Sequence, residues 1–344
     1  NMEFTSVWDT IRSGIKADLQ LKEIGSLGVR IPLEAHGYIY PTGKQNMDLK
    51  INFNNLNLAI LQPLMSSFAS NVSGIANGYL NIEGSFSAPQ LYGELDLIRT
   101  RLKVDYTNVA YSLTTNIKIN PNEIIIESLT INDPNANTAN GYFIMRHNNF
   151  SDITLDTRLT FNKFLAVNAS RDQNEYFYGK GLISGALRVQ GPINSIKIEG
   201  NITTEPGTTI FIPIKSSSVV QQSDFIHFIN PKDTITDTLK VETPRQIKSD
   251  KTTIAMNLRV SPSPETEINI EFDPRIGDKI MVKANGEIQV TMDTDGNLNL
   301  LGDITIVDGY YNLTMQNTIN EKFNIDPGSV IKWRGNVMNG EMNI

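Results

Sequence analysis

One alternating strand pair, bounded by glycines, recurs at a fixed interval along this chain. Gly78, Gly84 and Gly93 return as Gly185, Gly191 and Gly200, each 107 residues on. The first copy reads GYLNIEG from Gly78 and continues through Leu91, Leu95 and Leu97, and the second reads GALRVQG from Gly185 and continues through Ile198 and Ile202. A third copy opens at Gly286 with Glu287-Ile288-Gln289-Val290 and returns through Leu298, Leu300, Gly302, Ile304 and Ile306. Within each copy apolar and polar residues alternate, so Leu80, Leu187 and Ile288 fall on one face of their strands and Asn81, Arg188 and Gln289 on the other. That pattern belongs to half-buried antiparallel strands, where a slip of one residue would turn the whole apolar set to solvent.

The repeat extends upstream. Gly37-Tyr38 precedes DLKINFNN (48–55) as Gly141-Tyr142 precedes DTRLTFNK (156–163). A unit of about a hundred residues is too long for the common short solenoids, whose units run roughly 20 to 50 residues. Strand signals continue through the chain, about twenty in all, and an open twisted sheet of more than about ten strands curls, splits or flattens. The expected fold is therefore all-β: an elongated, mostly antiparallel, many-stranded sheet curled into a U-shaped trough, a β-taco-like groove, with short helical insertions. Residues 1–34 form a leading segment and 35–344 a continuous repetitive groove, with units of about 37–140, 141–250 and 251–344. Strand parity predicts that Leu80, Ile82, Leu95, Leu187, Val189, Ile198, Ile288, Val290, Leu300, Ile304 and Ile306 line the trough, while Ser184, Arg188 and Gln190 face water. Gly84 and Gly191 are expected at equivalent close approaches where the sheet bends.

Three segments depart from the strand pattern. Val7, Trp8 and Ile11 sit at near-helical spacing and predict a short helix over 5–13. Residues 57–73 (NLAILQPLMSSFASNVS) fit a small amphipathic lid that Pro63 starts afresh or kinks. A polar excursion runs from about 215 to 250, and inside it Phe225-Ile226-His227-Phe228-Ile229 is apolar enough to pack on the sheet or meet a partner.

Composition excludes several functions. The 344 residues are 40% hydrophobic and 19% charged with net charge −7, ordinary for a folded chain and without the dense basic run that a phosphate backbone requires. No nucleic acid is expected as a partner. Cysteine is absent, so disulfides and thiolate metal sites are ruled out. No apolar run is long enough to span a bilayer as a helix, so a membrane anchor is expected outside this chain. Hydrolase, phosphate-loop, dinucleotide and metalloprotease motifs are lacking, and His36, His147 and His227 are far apart in sequence. Asp293-Thr294-Asp295-Gly296 lacks the glycine and glutamate positions of a calcium loop and reads as a hairpin turn. Glu34, Glu83 and Glu199 follow predicted strand ends with no obvious partner. No catalytic residue, metal or cofactor is expected, and the chain reads as a non-enzyme.

The run GEIQVTMDTDGNLNLLGDITIVDGYYNL from Gly286, followed by FNIDPGSVIKWRGN (323–336), resembles the C-terminal periplasmic region of the TamB family, the translocation and assembly module proteins of diderm bacteria. Residues 177–214 (FYGKGLISGALRVQGPINSIKIEGNITTEPGTTIFIPI) resemble the upstream repeat of the same family in its Bacteroidota form. The resemblance spans roughly Gly37 to Gly335, with Tyr178-Gly179, Gly309-Tyr310 and Gly328 through Gly335 in the family's order. It implies a trough with an apolar interior in the periplasm, bridging the inner membrane, through an anchor absent from this chain, and an outer-membrane barrel of the TamA type. Phospholipid acyl chains are the implied cargo. The alternative that the resemblance carries is a scaffold or chaperone for outer-membrane proteins.

Overall fold

The computed structural model describes residues 1–25, 28–42, 45–174, 177–213, 253–273, 277–293, 298–315, 319–336 and 339–343. Among them, twenty strands form one sheet. β1 (Met2–Asp9), β2 (Gly14–Gly25), β3 (Gly28–Ile39) and β4 (Met47–Asn57) lead through a 3-10 turn (Leu58–Leu61) and α1 (Gln62–Met65) into β5 (Ala69–Ser85). An antiparallel meander continues through β6 (Ala88–Val104), β7 (Val109–Asn120), β8 (Glu123–Asn132), β9 (Thr138–Asn148), β10 (Ser151–Ala169) and β11 (Tyr178–Pro192). The remaining strands are β12 (Ser195–Thr204), β13 (Thr209–Pro213), β14 (Thr253–Ser261), β15 (Glu267–Asp273), β16 (Asp278–Met292), β17 (Leu298–Met315), β18 (Ile319–Asn324), β19 (Val330–Asn336) and β20 (Glu341–Asn343).

The helix expected over 5–13 is replaced by β1, which pairs antiparallel with β2, Trp8 opposite Ile15. An isolated helix of two turns is marginal in water, whereas a strand laid on an existing edge gains a ladder of hydrogen bonds. The lid is shorter than expected, since β5 has already begun at Ala69. Pro63 falls in the first turn of α1, where its missing N–H leaves no hydrogen bond unmade. The meander is interrupted once: β12 pairs with β14 and β13 with β15 in parallel. The excursion at 215–250, including Phe225 to Ile229, lies outside the described residues, as does Thr294 to Gly296.

A crease crosses the long strands. The ladder is shifted after Phe53 in β4, between Ser70 and Ile75 in β5, after Leu97 in β6, between Leu113 and Lys118 in β7, after Ile126 in β8 and after Phe161 in β10. Such bulges bend a strand and increase its local twist. Several crease residues adopt left-handed backbone without being glycine: Asn55 at φ 54°, Asn71 at 56°, Arg99 at 49° and Lys163 at 50°. Further along, the strand itself breaks at the crease, so β12 and β13 lie end to end against β11, β14 and β15 against β16, and β18 and β19 against β17. The first two breaks are tied together, with Thr204 Oγ1 and Thr266 Oγ1 2.6 Å apart and Glu267 N donating to Thr208 O at 2.9 Å. Twenty strands less three end-to-end pairs make seventeen rows, a trough on the order of 80 Å long at roughly 4.8 Å per row.

Folding along this line makes two walls of a U, and the fully buried side chains follow the crease. Ala69, Val72 and Ala76 of β5, Thr100 of β6, Leu129 of β8, Ala139 of β9, Phe161 and Phe164 of β10, and Val282 and Ala284 of β16 are all buried.

Candidate functional site

The inner face of the first wall is defined by register. Residues directly opposite one another share a face. Leu80 lies between Ile51 and Gly93, Ile82 between Leu49 and Leu91, and Leu95 between Gly78 and Ile117. Further along, Leu187 lies between Leu159 and Gly200, Val189 opposite Ile198, Val290 between Leu258 and Leu300, and Ile304 between Gly286 and Ile331. Ile288 faces Gly302, and Ile306 faces Ala284. All eleven side chains named from strand parity therefore share one face, with Ser184, Arg188 and Gln190 on the other.

Their exposure divides them. Leu80, Ile82, Leu95, Leu187, Val189, Ile198, Val290 and Leu300 are half-buried. Ile288, Ile304 and Ile306 are 9%, 4% and 1% exposed and form a closed cluster with Val282, Ala284, Ile325, Ile331 and Trp333. Trp333 stands directly across from Gly302, and its indole lies against Gly340, where a Cβ would come within 2.7 Å of Nε1. The turn at Ile325 to Ser329 sits in the crease, donating from Ile325 N to Gly309 O at 3.0 Å and from Gly328 N to Ile306 O at 2.8 Å. At this end the lining residues themselves are buried; along the first two glycine ladders they stay half-buried, with buried clusters around Leu58 and around Phe161 and Phe164 at the crease and Leu187 packed against the second.

The glycines that permit close approach are one step further inside the strands than expected. Gly78, Gly185 and Gly286 have φ of +132°, +125° and +139°, and a Cβ on them would come within 2.0, 2.1 and 2.5 Å of a carbonyl oxygen on the neighbouring strand. Gly84 and Gly191, expected in that role, also have positive φ, but their nearest neighbours are the hairpin carbonyls of Ala88 and Ser195 at 3.0 and 2.8 Å. They shape turns at the ends of the strands.

A polar clasp holds the curvature between the open ladders. The turn joining β8 to β9 stops just beyond the crease, and β7 and β10 meet across it: the rings of Tyr111 and Phe164 stack at 5.1 Å, and Asn168 N donates to Thr107 O at 2.9 Å. Asp133 in that turn is buried, and its carboxylate accepts from Asn135 N, Asn137 N, Asn137 Nδ2 and Leu165 N at 2.8 to 3.0 Å. Burial raises the pKa of Asp133, but the donors of Asn137, Leu165 and Asn135 outweigh it, so this carboxyl titrates below its ordinary range. Burial, aided by the Asp133 charge, pushes the Tyr111 phenol up to about 12.

The chemistry of the remaining polar groups is structural. Among the described residues no group of three or more histidine, aspartate or glutamate side chains could hold a metal ion. His36 is exposed on β3, and His147 is buried, stacked on Phe150 at 4.4 Å with Nδ1 accepting from Phe150 N at 3.2 Å. Glu34 lies within β3 rather than at its end and accepts from Gln20 Nε2 at 3.0 Å; Glu83 and Glu199 lie within β5 and β12. On the second wall Tyr178 donates to Glu271 Oε1 at 2.8 Å, and burial together with that bond pushes its phenol up to about 12. A polar depression of about 440 Å³ lies outside the first wall, lined by Arg158, Arg188, Glu199 and Arg259. Its arginines pair with nearby carboxylates, Arg188 with Asp156 at 3.3 Å and Arg259 with Glu287 at 3.1 Å. No helix among the described residues is long and apolar enough to cross a membrane.

Sequence reasoning missed the crease and the clasp. The crease had a signal: the Phe-Asn-Asn and Phe-Asn-Lys of the two upstream blocks end the alternation at equivalent places, and the structure bulges after both phenylalanines. Asp133 had none, because its most distant partner, Leu165, is brought to it only by the fold. Comparison with known proteins gives two findings. Residues 127–344 match the family model described as TamB C-terminal domain. No solved structure matches the chain.

Proposed function

The chain belongs to the TamB family, whose members are periplasmic, non-enzymatic components of envelope lipid or protein assembly that associate with TamA and with membranes, and from that premise we propose that its trough conducts phospholipid between the inner and outer membranes. The observation that carries this reading is the part of the inner face away from the crease: apolar side chains of the first two ladders that stay half-buried, while the buried clusters around Leu58 and around Phe161 and Phe164 lie at the crease. Two acyl chains of about fifteen methylenes each would cost roughly 24 kcal/mol to expose, at about 0.8 kcal/mol per methylene. A continuous apolar lining lowers that cost along the whole path, and no catalytic group is needed. Leu80, Ile82, Leu95, Leu187, Val189 and Ile198 would touch the chains, with headgroups at the rim. In this arrangement the described strands β4 to β12 form the open path, and the strands from β16 onward lead to its filled end. A TamA-like barrel and an inner-membrane anchor beyond this chain are the partners at the two ends of the bridge.

A second reading has its own observation. Met2, Phe4 and Trp8 on β1 are exposed, an apolar surface that could hold a strand of an outer-membrane protein. Mass spectrometry of an organic extract of the purified protein separates the two. The conduit predicts stoichiometric diacyl phospholipid, and an extract without lipid from protein isolated without detergent favours the scaffold.

A further inference from the structure

The joint between β4 and β5 carries an element that the trough itself does not require. β4 stops pairing with β5 at Asn57, opposite Ile75, and the first residues of β5 pair only with β6. The place that β4 would take in the second wall is filled by the 3-10 turn and α1. Leu58 of this insertion is buried with Leu56, Val72 and Ala76, and Leu21, Leu33, Phe53 and Leu97 pack around them. By register Leu33, Phe53 and Leu97 belong to the groove face: Leu33 is opposite Phe53, Phe53 opposite Gly78 and Leu97 opposite Ala76. The insertion therefore sits inside the groove, against the surface that a guest would use.

Its outward side is also apolar. Ile60, Leu61, Leu64 and Phe68 are 53%, 38%, 79% and 54% exposed. Residues 51–82 contain no charged side chain in a chain that is 19% charged, and the Asp105 carboxylate beside them is engaged by Ser70 Oγ at 2.5 Å and Lys103 Nζ at 3.6 Å. The hold on β5 is slight. Gln62 Oε1 accepts from Val72 N at 2.9 Å, and its Nε2 donates to Ala69 O at 3.0 Å. These are β5 backbone groups next to the bulge that β4 leaves unpaired, so one glutamine side chain does the work of a missing strand.

We propose that this insertion is a gate for acyl chains: Leu58 and Met65 fill the groove when it is empty, Gln62 latches them to β5, and Ile60, Leu61, Leu64 and Phe68 take up the first chain as the insertion swings aside. The inference rests on the conduit reading and adds a loading step to it. An acyl chain arriving at the exposed residues replaces the contacts that Leu58 and Met65 give up, so opening exposes little net apolar surface to water. The two hydrogen bonds of Gln62 then set how often the gate opens.

The test uses phosphatidylethanolamine with a diazirine on one acyl chain, presented to the full chain in vesicles of phosphatidylethanolamine and phosphatidylglycerol, with the labelled residues found by mass spectrometry. The wild type should be labelled at Leu64 and at Leu187. Combining Ile60→Ser, Leu61→Ser, Leu64→Ser and Phe68→Ser removes only exposed side chains, so circular dichroism and melting temperature should be retained while labelling at Leu187 falls about tenfold or more. Gln62→Ala should raise amide exchange over 58–65 by about tenfold and speed labelling at Leu187. Undiminished labelling at Leu187 in the serine variant, or faster exchange in Gln62→Ala without faster labelling, overturns the gate and leaves the conduit standing. Absence of label at Leu187 in the wild type overturns the conduit itself.

Discussion

The first and third glycine ladders share a sequence pattern and a strand register, yet one is open and the other closed. Leu80 faces Gly93 in the first as Ile288 faces Gly302 in the third, with Gly78 and Gly286 in the same strained conformation two residues earlier. Leu80 is half-buried and Ile288 is 9% exposed. The difference lies in the flanking elements. Beyond the third ladder the chain turns at Ile325 to Ser329 inside the crease and places Trp333 opposite Gly302, filling the trough. Beside the first ladder the buried residues are Leu56, Leu58, Val72 and Ala76 near the crease, and Leu80 itself stays half-buried. The ladder thus sets register and facing, and its neighbours decide whether the trough is core or conduit.

The same charge placed in both regions should have the most unequal consequences. Ile304→Arg buries a guanidinium among Ile288, Ile331 and Trp333 and should cost several kcal/mol, enough to unfold the C-terminal third. Leu187→Arg, in the open region, can reach water with its long side chain and should cost about 1 kcal/mol or less. Denaturant titration with limited proteolysis would show it, and equal losses for the two variants would mean that the regions are packed alike.

The next effect concerns how an open trough keeps its shape. The C-terminal end is held by packing, whereas between the open ladders Asp133 ties the β8–β9 turn to β10. Asp133→Ala leaves buried N–H groups without their acceptor and should cost about 3 kcal/mol. Because the folded pKa of Asp133 is lowered, its contribution is complete above the unfolded value of about 3.9 and is lost as pH falls through the folded value. Stability of the wild type should therefore drop on acidification below about pH 4 more steeply than that of Asp133→Asn, measured by urea denaturation across that range.

A smaller effect separates the two kinds of ladder glycine. Gly185→Ala drives a Cβ to within 2.1 Å of Asn201 O at positive φ, and about 2 kcal/mol of destabilisation is expected. Gly84→Ala meets Ala88 O at 3.0 Å in a surface hairpin and should cost about 1 kcal/mol. Equal shifts in melting temperature would argue that the inner glycines are also only turn formers.

Much of this architecture was legible in the residues because period-two alternation fixes the facing of a strand whatever its neighbours. Leu80, Ile82, Leu187 and Val189 could be assigned to one face without knowing which strands flank them. Burial could not be read the same way: Ile304 and Leu187 look alike in sequence, and Trp333, which distinguishes them, lies 29 residues from Ile304. The helix expected at Val7, Trp8 and Ile11 failed because helical spacing over so few residues is weaker than the pull of an open sheet edge. Gly78 and Gly185 bound the motif as Gly84 and Gly191 do, and nothing in the sequence separates the two kinds, because the steric demand at Gly78 and Gly185 comes from the neighbouring strand.

If the trough is a conduit, its half-buried inner face touches lipid and its filled end does not. A photo-reactive amino acid placed in turn at Leu187, Ile304 and the outward-facing Gln190, followed by irradiation of cells and lipid analysis of the purified adducts, tests it directly. Phospholipid adducts at Leu187, and little or none at Ile304 and Gln190, are the predicted result. Adducts at Leu187 that contain only polypeptide, or lipid captured equally at all three positions, would contradict it.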